Sequence, residues 1–196
     1  MMTKAAMQYF DLTGRSALIT GATRGIGFGL AAGLAQAGAK IILNGRNPEK
    51  LAEATDRLRL QDVSAQTLCF DVRDQPAVQK AINNYESADG PIDILINNAG
   101  IQHRQSLEDF ASDKFQDVMN TNATALFYLG QAVTRHMKQR GQGKIINIAS
   151  IMTKMARHHV GAYVTAKAAV GGLTRAMTAE WAGYGTVSYT HLTLPT

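Results

Sequence analysis

Hydrophobic residues in this chain fall in short, near-continuous runs, separated by longer stretches in which apolar positions recur every three to four residues. The runs are A-L-I-T at 17–20, K-I-I-L-N at 40–44, A-Q-T-L-C-F at 65–70, I-D-I-L-I-N at 92–97 and K-I-I-N-I-A at 144–149. A strand with one wet face alternates polar and apolar residues. Unbroken runs predict a parallel sheet covered by helices on both faces. After the first run, Ile26, Leu30, Leu34 and Ala37 mark the buried side of a helix that Gly38 ends. Further helices are predicted at Asn47-Pro48-Glu49, with asparagine as cap and proline in the first turn, and after Asp74-Gln75-Pro76. Ser106-Leu107-Glu108-Asp109 has the spacing of a capping box. Longer helices are predicted over 121–140 and 160–183. This strand–helix alternation implies an α/β fold, a doubly wound parallel sheet of Rossmann type, as one domain over residues 1–185.

Residues 186–196, T-V-S-Y-T-H-L-T-L-P-T, break the pattern. They contain no Asp, Glu, Lys or Arg, and four of the eleven are threonine. Neither a helix nor a clear strand is predicted there. The segment reads either as a frayed terminus or, the favoured reading, as a non-native tail of translated cloning or sequencing-adapter sequence on a truncated frame.

Composition narrows the class. With 196 residues, 45% hydrophobic and 18% charged, the chain can build one ordinary globular core. No apolar run reaches about eighteen residues, so no membrane helix is expected, and the N-terminal M-M-T-K-A-A-M-Q-Y-F-D lacks the apolar stretch of a secretory signal. The single cysteine, Cys69, excludes an internal disulfide framework and suits a reducing, cytoplasmic location. Its place in T-L-C-F predicts burial. The net charge of +5 is spread without a dense basic stripe, which argues against nucleic acid while favouring an anionic ligand.

Candidate chemistry gathers at two places. The first strand runs straight into T-G-A-T-R-G-I-G, where Gly21, Gly25 and Gly27 permit a tight turn and close approach of backbone N–H groups to a phosphate at a helix N-terminus. Thr23, Arg24 and Ile26 complete that turn. Near the other end, Tyr163 and Lys167 in Y-V-T-A-K lie on one helical face, one turn apart. A lysine ammonium beside a phenol favours the phenolate, which lets the tyrosine exchange a proton with an alcohol near neutral pH. Ser150 ends the run K-I-I-N-I-A-S, where a strand would deliver its hydroxyl to the same spot. The adjacent His158 and His159 diverge in direction and make no metal signature, and no metal site is expected.

T20-G-A-T-R-G-I-G27, F70-D-V-R-D74, N97-N-A-G100, Asn122, Ser150 and Y163-V-T-A-K167 arrive together in an order that resembles the short-chain dehydrogenase/reductase family. The thirteen-residue step from Ser150 to Tyr163 fits as well. Within it, N-N-A-G-I-Q-H-R, Q-A-V-T-R-H-M and G-I-G-F-G-L-A-A-G-L resemble gluconate 5-dehydrogenases. The resemblance implies that Tyr163 is the general acid/base, that Lys167 supports it and binds the nicotinamide ribose, and that Ser150 holds the substrate oxygen. It implies that Asn122, with Asn120 as the alternative, anchors a water leading to Lys167. Asn98, Ala99 and Gly100 would line the cofactor wall, and Asp71 and Val72 would flank the adenine. No acid follows the second strand to accept ribose hydroxyls. Arg46 and Arg24 stand there instead, and two guanidinium groups suit a 2′-phosphate, so NADP(H) is the expected cofactor. Gln102, Arg104 and Arg157 are candidates for contact with a small-molecule sugar acid. The activity implied is interconversion of D-gluconate and 5-keto-D-gluconate. Reduction of 3-ketoacyl thioesters, or of another sugar or alcohol, is the alternative, as is an inactive nucleotide-binding fragment. The family also continues beyond a fifth strand and assembles as homotetramers. A tail at 186–196 would therefore mean missing C-terminal strands, an exposed fifth strand, low stability and little activity.

Overall fold

The structure, a computed structural model, describes residues 10–191. Six strands, β1 (Ser16–Ile19), β2 (Lys40–Gly45), β3 (Ala65–Cys69), β4 (Ile94–Asn97), β5 (Gly143–Ile148) and β6 (Thr186–His191), form one parallel sheet in the order β3-β2-β1-β4-β5-β6. Six helices accompany them: α1 (Gly25–Gln36), α2 (Pro48–Arg59), α3 (Gln75–Ala88), α4 (Ser112–Met119), α5 (Ala125–Arg140) and α6 (Gly161–Trp181). Successive strand residues point to opposite faces. Leu18, Ile42, Leu95 and Ile145 pack with Val78 and Ile82 of α3 and Leu129 and Val133 of α5. Their neighbours Ile19, Leu43 and Ile96 pack on the other side with Phe28 of α1 and Leu51 and Leu58 of α2. Each fully buried aliphatic side chain contributes about 1.5–3 kcal/mol. With both faces covered, every position of a central strand gains from being apolar, which is why the runs are unbroken.

The helix starts follow local chemistry. Asn47 Oδ1 accepts from the Lys50 backbone N–H at 2.8 Å, and Asp74 Oδ1 from Ala77 at 3.0 Å, each with proline in the first turn. Gly38, at φ +94°, ends the α1 turn in the left-handed region. Several local expectations need correction. On α1, Leu30 and Leu34 pack partly buried against the core as expected, but the fully buried residues are Gly27, Phe28 and Ala31 and Ile26 is exposed. Ser106 starts no helix. Its Oγ donates to Asp109 Oδ2 at 2.8 Å, and Gln105 bridges to Val160, which holds the segment as a loop over the start of α6. The helix expected over 121–140 is α5, and it continues from α4 through a π-helical turn at Asn120–Thr124. Cys69 is exposed because β3 is the outermost strand.

β6 corrects the expectation that no sixth strand follows Gly185. Thr186–His191 pairs in parallel with Gly143–Ile148, so β5 lies inside the sheet. Gly185, at φ +72°, turns the chain back from α6, and threonine, valine and tyrosine are strong strand formers. A backbone ladder requires donors and acceptors and not apolar periodicity. Residues 192–196 of the expected tail, like residues 1–9 of the expected domain, lie outside the described residues.

Candidate active site

The strand order reverses between β1 and β4, and at such a switch point the loops leaving the two strands diverge and open a crevice at their carboxyl ends. The glycine turn leaves β1 there, and Asn98, Ala99 and Gly100 leave β4. Thr20 ties the two together: its Oγ1 accepts from the Asn98 and Ala99 backbone N–H groups at 3.0 and 3.1 Å, and Asn98 Nδ2 donates to Thr20 O at 2.9 Å. The loops are so close that a Cβ on Gly21 would lie 2.8 Å from Ala99 Cα, and one on Gly27 2.5 Å from Asn98 Nδ2. At the N-terminus of α1, Arg24 is extended, no side chain caps the helix, and no acid stands in its first turn. Donor groups thus face the crevice with a positive dipole end behind them, which suits an anionic ligand.

Across the crevice, α6 brings Tyr163 and Lys167 to the end of β5. Lys167 is 5% exposed. Its Nζ donates to the Ile148 carbonyl and lies 5.6 Å from the centre of the Tyr163 ring. Burial lowers its pKa to about 8, so the ammonium persists at neutral pH beside the phenol. Two residues after Ile148, Ser150 is 1% exposed. Its Oγ accepts from the Met152 N–H at 3.2 Å, capping a 3₁₀ turn at Ile151–Thr153, and its own O–H remains available as a donor. Tyr163 packs against a buried cluster that includes Val118 and Ala123. Asn122, fully buried, sits in the π-helical turn. Its Nδ2 donates to Ile101 O and its Oδ1 accepts from Ile101 N–H, both at 2.8 Å, fixing the loop that follows Gly100. Asn120 is partly exposed and accepts from Gln116 instead, so Asn122 is the buried member of the pair. π-helical turns recur at functional sites, and this one re-aims Asn122 into the loop.

The periphery is less closely joined. A Cβ on Gly45 would lie 2.9 Å from Thr23 Cγ2, so the turns carrying Arg24 and Arg46 touch, with both arginines exposed. Asp71 pairs with Arg73 at 2.8 Å and faces Arg46 at 3.9 Å. Its pKa is lowered chiefly by the hydrogen bonds from Arg73. Val72 is packed in the core. Arg157 lines a cavity of about 370 Å³ with Leu107, His158 and His159, whereas Gln102 and Arg104 are exposed on the loop leaving β4. Sequence reasoning assigned no role to Asn44, which closes the run K-I-I-L-N, or to Asn147 within K-I-I-N-I-A, and it placed Thr20 and Asn97 only as the first residues of two motifs. Asn44 Nδ2 donates to Leu68 O and Phe70 O, and Asn97, Asn147 and Thr174 form a buried chain beneath α6. Their signal was a polar residue placed at the crevice end of a strand with both faces buried.

Comparison with known proteins agrees with this arrangement. Residues 15–193 match the short chain dehydrogenase family. The chain is 49% identical over 176 residues to a gluconate 5-dehydrogenase of Gluconobacter oxydans, covering 90% of this chain and 69% of that protein. It is 42% identical over 173 residues to the 5-keto-D-gluconate 5-reductase of Escherichia coli K12, covering 88% and 68%. Among solved structures, a gluconate 5-dehydrogenase from Burkholderia cenocepacia in complex with NADP and tartrate superposes with a TM-score of 0.92 at 45% identity, covering 97% of this chain and 76% of that one. The chain belongs to the short-chain dehydrogenase family of oxidoreductases.

Proposed function

We propose that the chain is an NADP-dependent oxidoreductase interconverting D-gluconate and 5-keto-D-gluconate, with Tyr163 as general acid in reduction and general base in oxidation. The observation that carries this reading is the buried Lys167 ammonium, one turn from Tyr163 and anchored to the strand end that delivers Ser150. The names of the relatives support a sugar acid as substrate, and the NADP in the neighbouring complex supports the cofactor.

The turn from Gly21 to Gly27, with Thr23 and Ile26, would hold the pyrophosphate, Arg24 and Arg46 the 2′-phosphate, and Asn98, Ala99 and Gly100 the wall opposite. Asp71 and Val72 would border the adenine. Bound NADP(H) supplies or accepts the hydride. Ser150 donates its O–H to the substrate oxygen and stabilises charge developing there. Tyr163 passes its proton to that oxygen, and the Lys167 ammonium stabilises the phenolate that results. Asn122 keeps the loop after Gly100 in place. Arg157, with Gln102 or Arg104, would meet the substrate carboxylate. Assembly as a homo-oligomer belongs to the same reading.

The test is oxidation of NADPH by the purified chain in the presence of 5-keto-D-gluconate. Turnover is expected, and Tyr163→Phe should lower it by about 10²- to 10⁴-fold, the scale of one general acid, while leaving NADPH binding in place. Turnover on 3-ketoacyl thioesters alone would move the substrate class, and activity unchanged in Tyr163→Phe would remove Tyr163 from the chemistry.

A further inference from the structure

An acid stands beside one of the two arginines read above as the 2′-phosphate site. Asp71 Oδ2 and Arg46 Nη1 form a long ion pair at 3.9 Å, too far for a hydrogen bond between them. A bare carboxylate here would do two things against a phosphate. It would draw Arg46 to itself, and it would repel a dianion arriving at the same guanidinium. Asp71 is not bare. Arg73 Nη2 donates to Asp71 Oδ2 at 2.8 Å, Arg73 Nε to Oδ1 at 3.1 Å, and the Arg73 backbone N–H to Oδ1 at 2.9 Å. This two-point grip with a third donor from the main chain occupies both oxygens. Arg73 is itself fixed from behind by Asp117 of α4 at 3.3 Å. Side-chain exposure is 36% for Arg73, 29% for Asp71 and 69% for Arg46. The gripped pair is therefore the more sheltered, and Arg46 is the guanidinium turned to solvent.

We propose that Arg73 is a specificity-determining positioning residue: by holding and neutralising Asp71 it leaves Arg46 only loosely paired and open to a 2′-phosphate, so that the site discriminates NADP(H) from NAD(H). The proposal rests on the cofactor reading given under the proposed function. It assigns no contact between Arg73 and the cofactor. Arg73 acts only through the state of Asp71.

The experiment measures dissociation constants of NADPH and NADH by fluorescence titration, without turnover, for the wild-type chain, Arg73→Gln, Asp71→Asn and the double variant. In Arg73→Gln the ratio of the NADH to the NADPH constant should fall about tenfold, the effect of uncovering one charge near an anion. In Asp71→Asn the ratio should stay within about twofold of wild type, because Arg73 already masks that charge. The double variant should recover most of the loss. Any contact of Asp71 with the adenine is common to both cofactors and cancels in the ratio. A purely structural role for Arg73 would weaken both cofactors equally and would not be rescued by Asp71→Asn, and that result overturns the proposal. A wild type that binds NADH more tightly than NADPH overturns the cofactor reading, and this inference with it. A wild type that prefers NADPH while Arg73→Gln leaves the ratio unchanged overturns the role of Arg73 alone. Arg73→Lys, which keeps the charge without the fork, should retain most of the wild-type ratio, and a loss as large as that of Arg73→Gln counts against charge neutralisation.

Discussion

Lys167 combines a charge with 5% exposure, and the consequence can be measured. Desolvation lowers its pKa from 10.5 to about 8. Between those values the unfolded chain holds a proton that the folded chain has released, so stability rises as pH rises through that window. Below pH 8 both states are protonated and the penalty is constant. The gain across the window is about 3 kcal/mol at most, from 1.36 kcal/mol per pKa unit. Urea unfolding between pH 7 and 10.5 should show this rise, and Lys167→Met should flatten it. A wild-type profile no steeper than that of Lys167→Met would mean that Lys167 keeps an ordinary pKa. The same numbers bear on the proposed catalysis, in which the Lys167 ammonium that would support a Tyr163 phenolate is present at neutral pH and lost in alkali.

Among the elements, β6 has the weakest chemistry for its place. Its ladder to β5 is complete from Thr186 to His191, yet Thr186 and Ser188 are buried, and among the described residues neither hydroxyl has a hydrogen-bond partner. A buried unpaired hydroxyl costs about 1–3 kcal/mol. Thr186→Val, which keeps the shape and the strand propensity, should raise stability by about 1 kcal/mol, and Ser188→Ala by a similar amount, read as a higher urea midpoint at constant slope. A lower midpoint in both variants would mean that the hydroxyls are satisfied in solution. The π-helical turn between α4 and α5 shows the opposite case. One irregular turn there allows a fully buried Asn122 to use both ends of its amide on Ile101.

At the scale of the whole molecule, the two ends of the sheet divide the labour. The carboxyl ends of the strands carry the crevice. The opposite end is clamped by Arg140 and Glu86, which join α5 and α3 at 2.6 Å, with Arg140 Nη2 donating to Ile92 O and Ile92 N–H to Glu86 Oε1 just before β4. Glu86 is nearly buried, with a side chain 5% exposed. Arg140→Met would strand that carboxylate and should cost about 2–3 kcal/mol, somewhat below the range for a fully buried pair because Arg140 is partly exposed. NADPH affinity of the folded fraction should change by less than about twofold, since the clamp lies at the far end of the sheet. A large loss of affinity without loss of stability would contradict this division.

The hydrophobic pattern determined five of the six strands and the doubly wound class of sheet, and the polar residues and prolines at Asn47-Pro48 and Asp74-Gln75-Pro76 determined two helix starts, because burial on both faces and the first turn of a helix are local demands written into adjacent residues. The glycine turn and the Tyr163–Lys167 spacing were legible for the same reason: a tight turn and a one-turn separation are properties of contiguous chain. What only the tertiary structure decided involves partners distant in sequence. Cys69 is exposed because its strand lies at the edge of the sheet. Ser106 turns without starting a helix because Gln105 pairs with Val160, and Asn122 acts on Ile101 through a π-helical turn that no periodicity announces. Arg73 stood in the sequence only as one letter of F70-D-V-R-D74, and its grip on Asp71 beside Arg46 came with the fold. β6 escaped the pattern because the backbone ladder of β5 makes a strand of any segment that can supply donors and acceptors at its side.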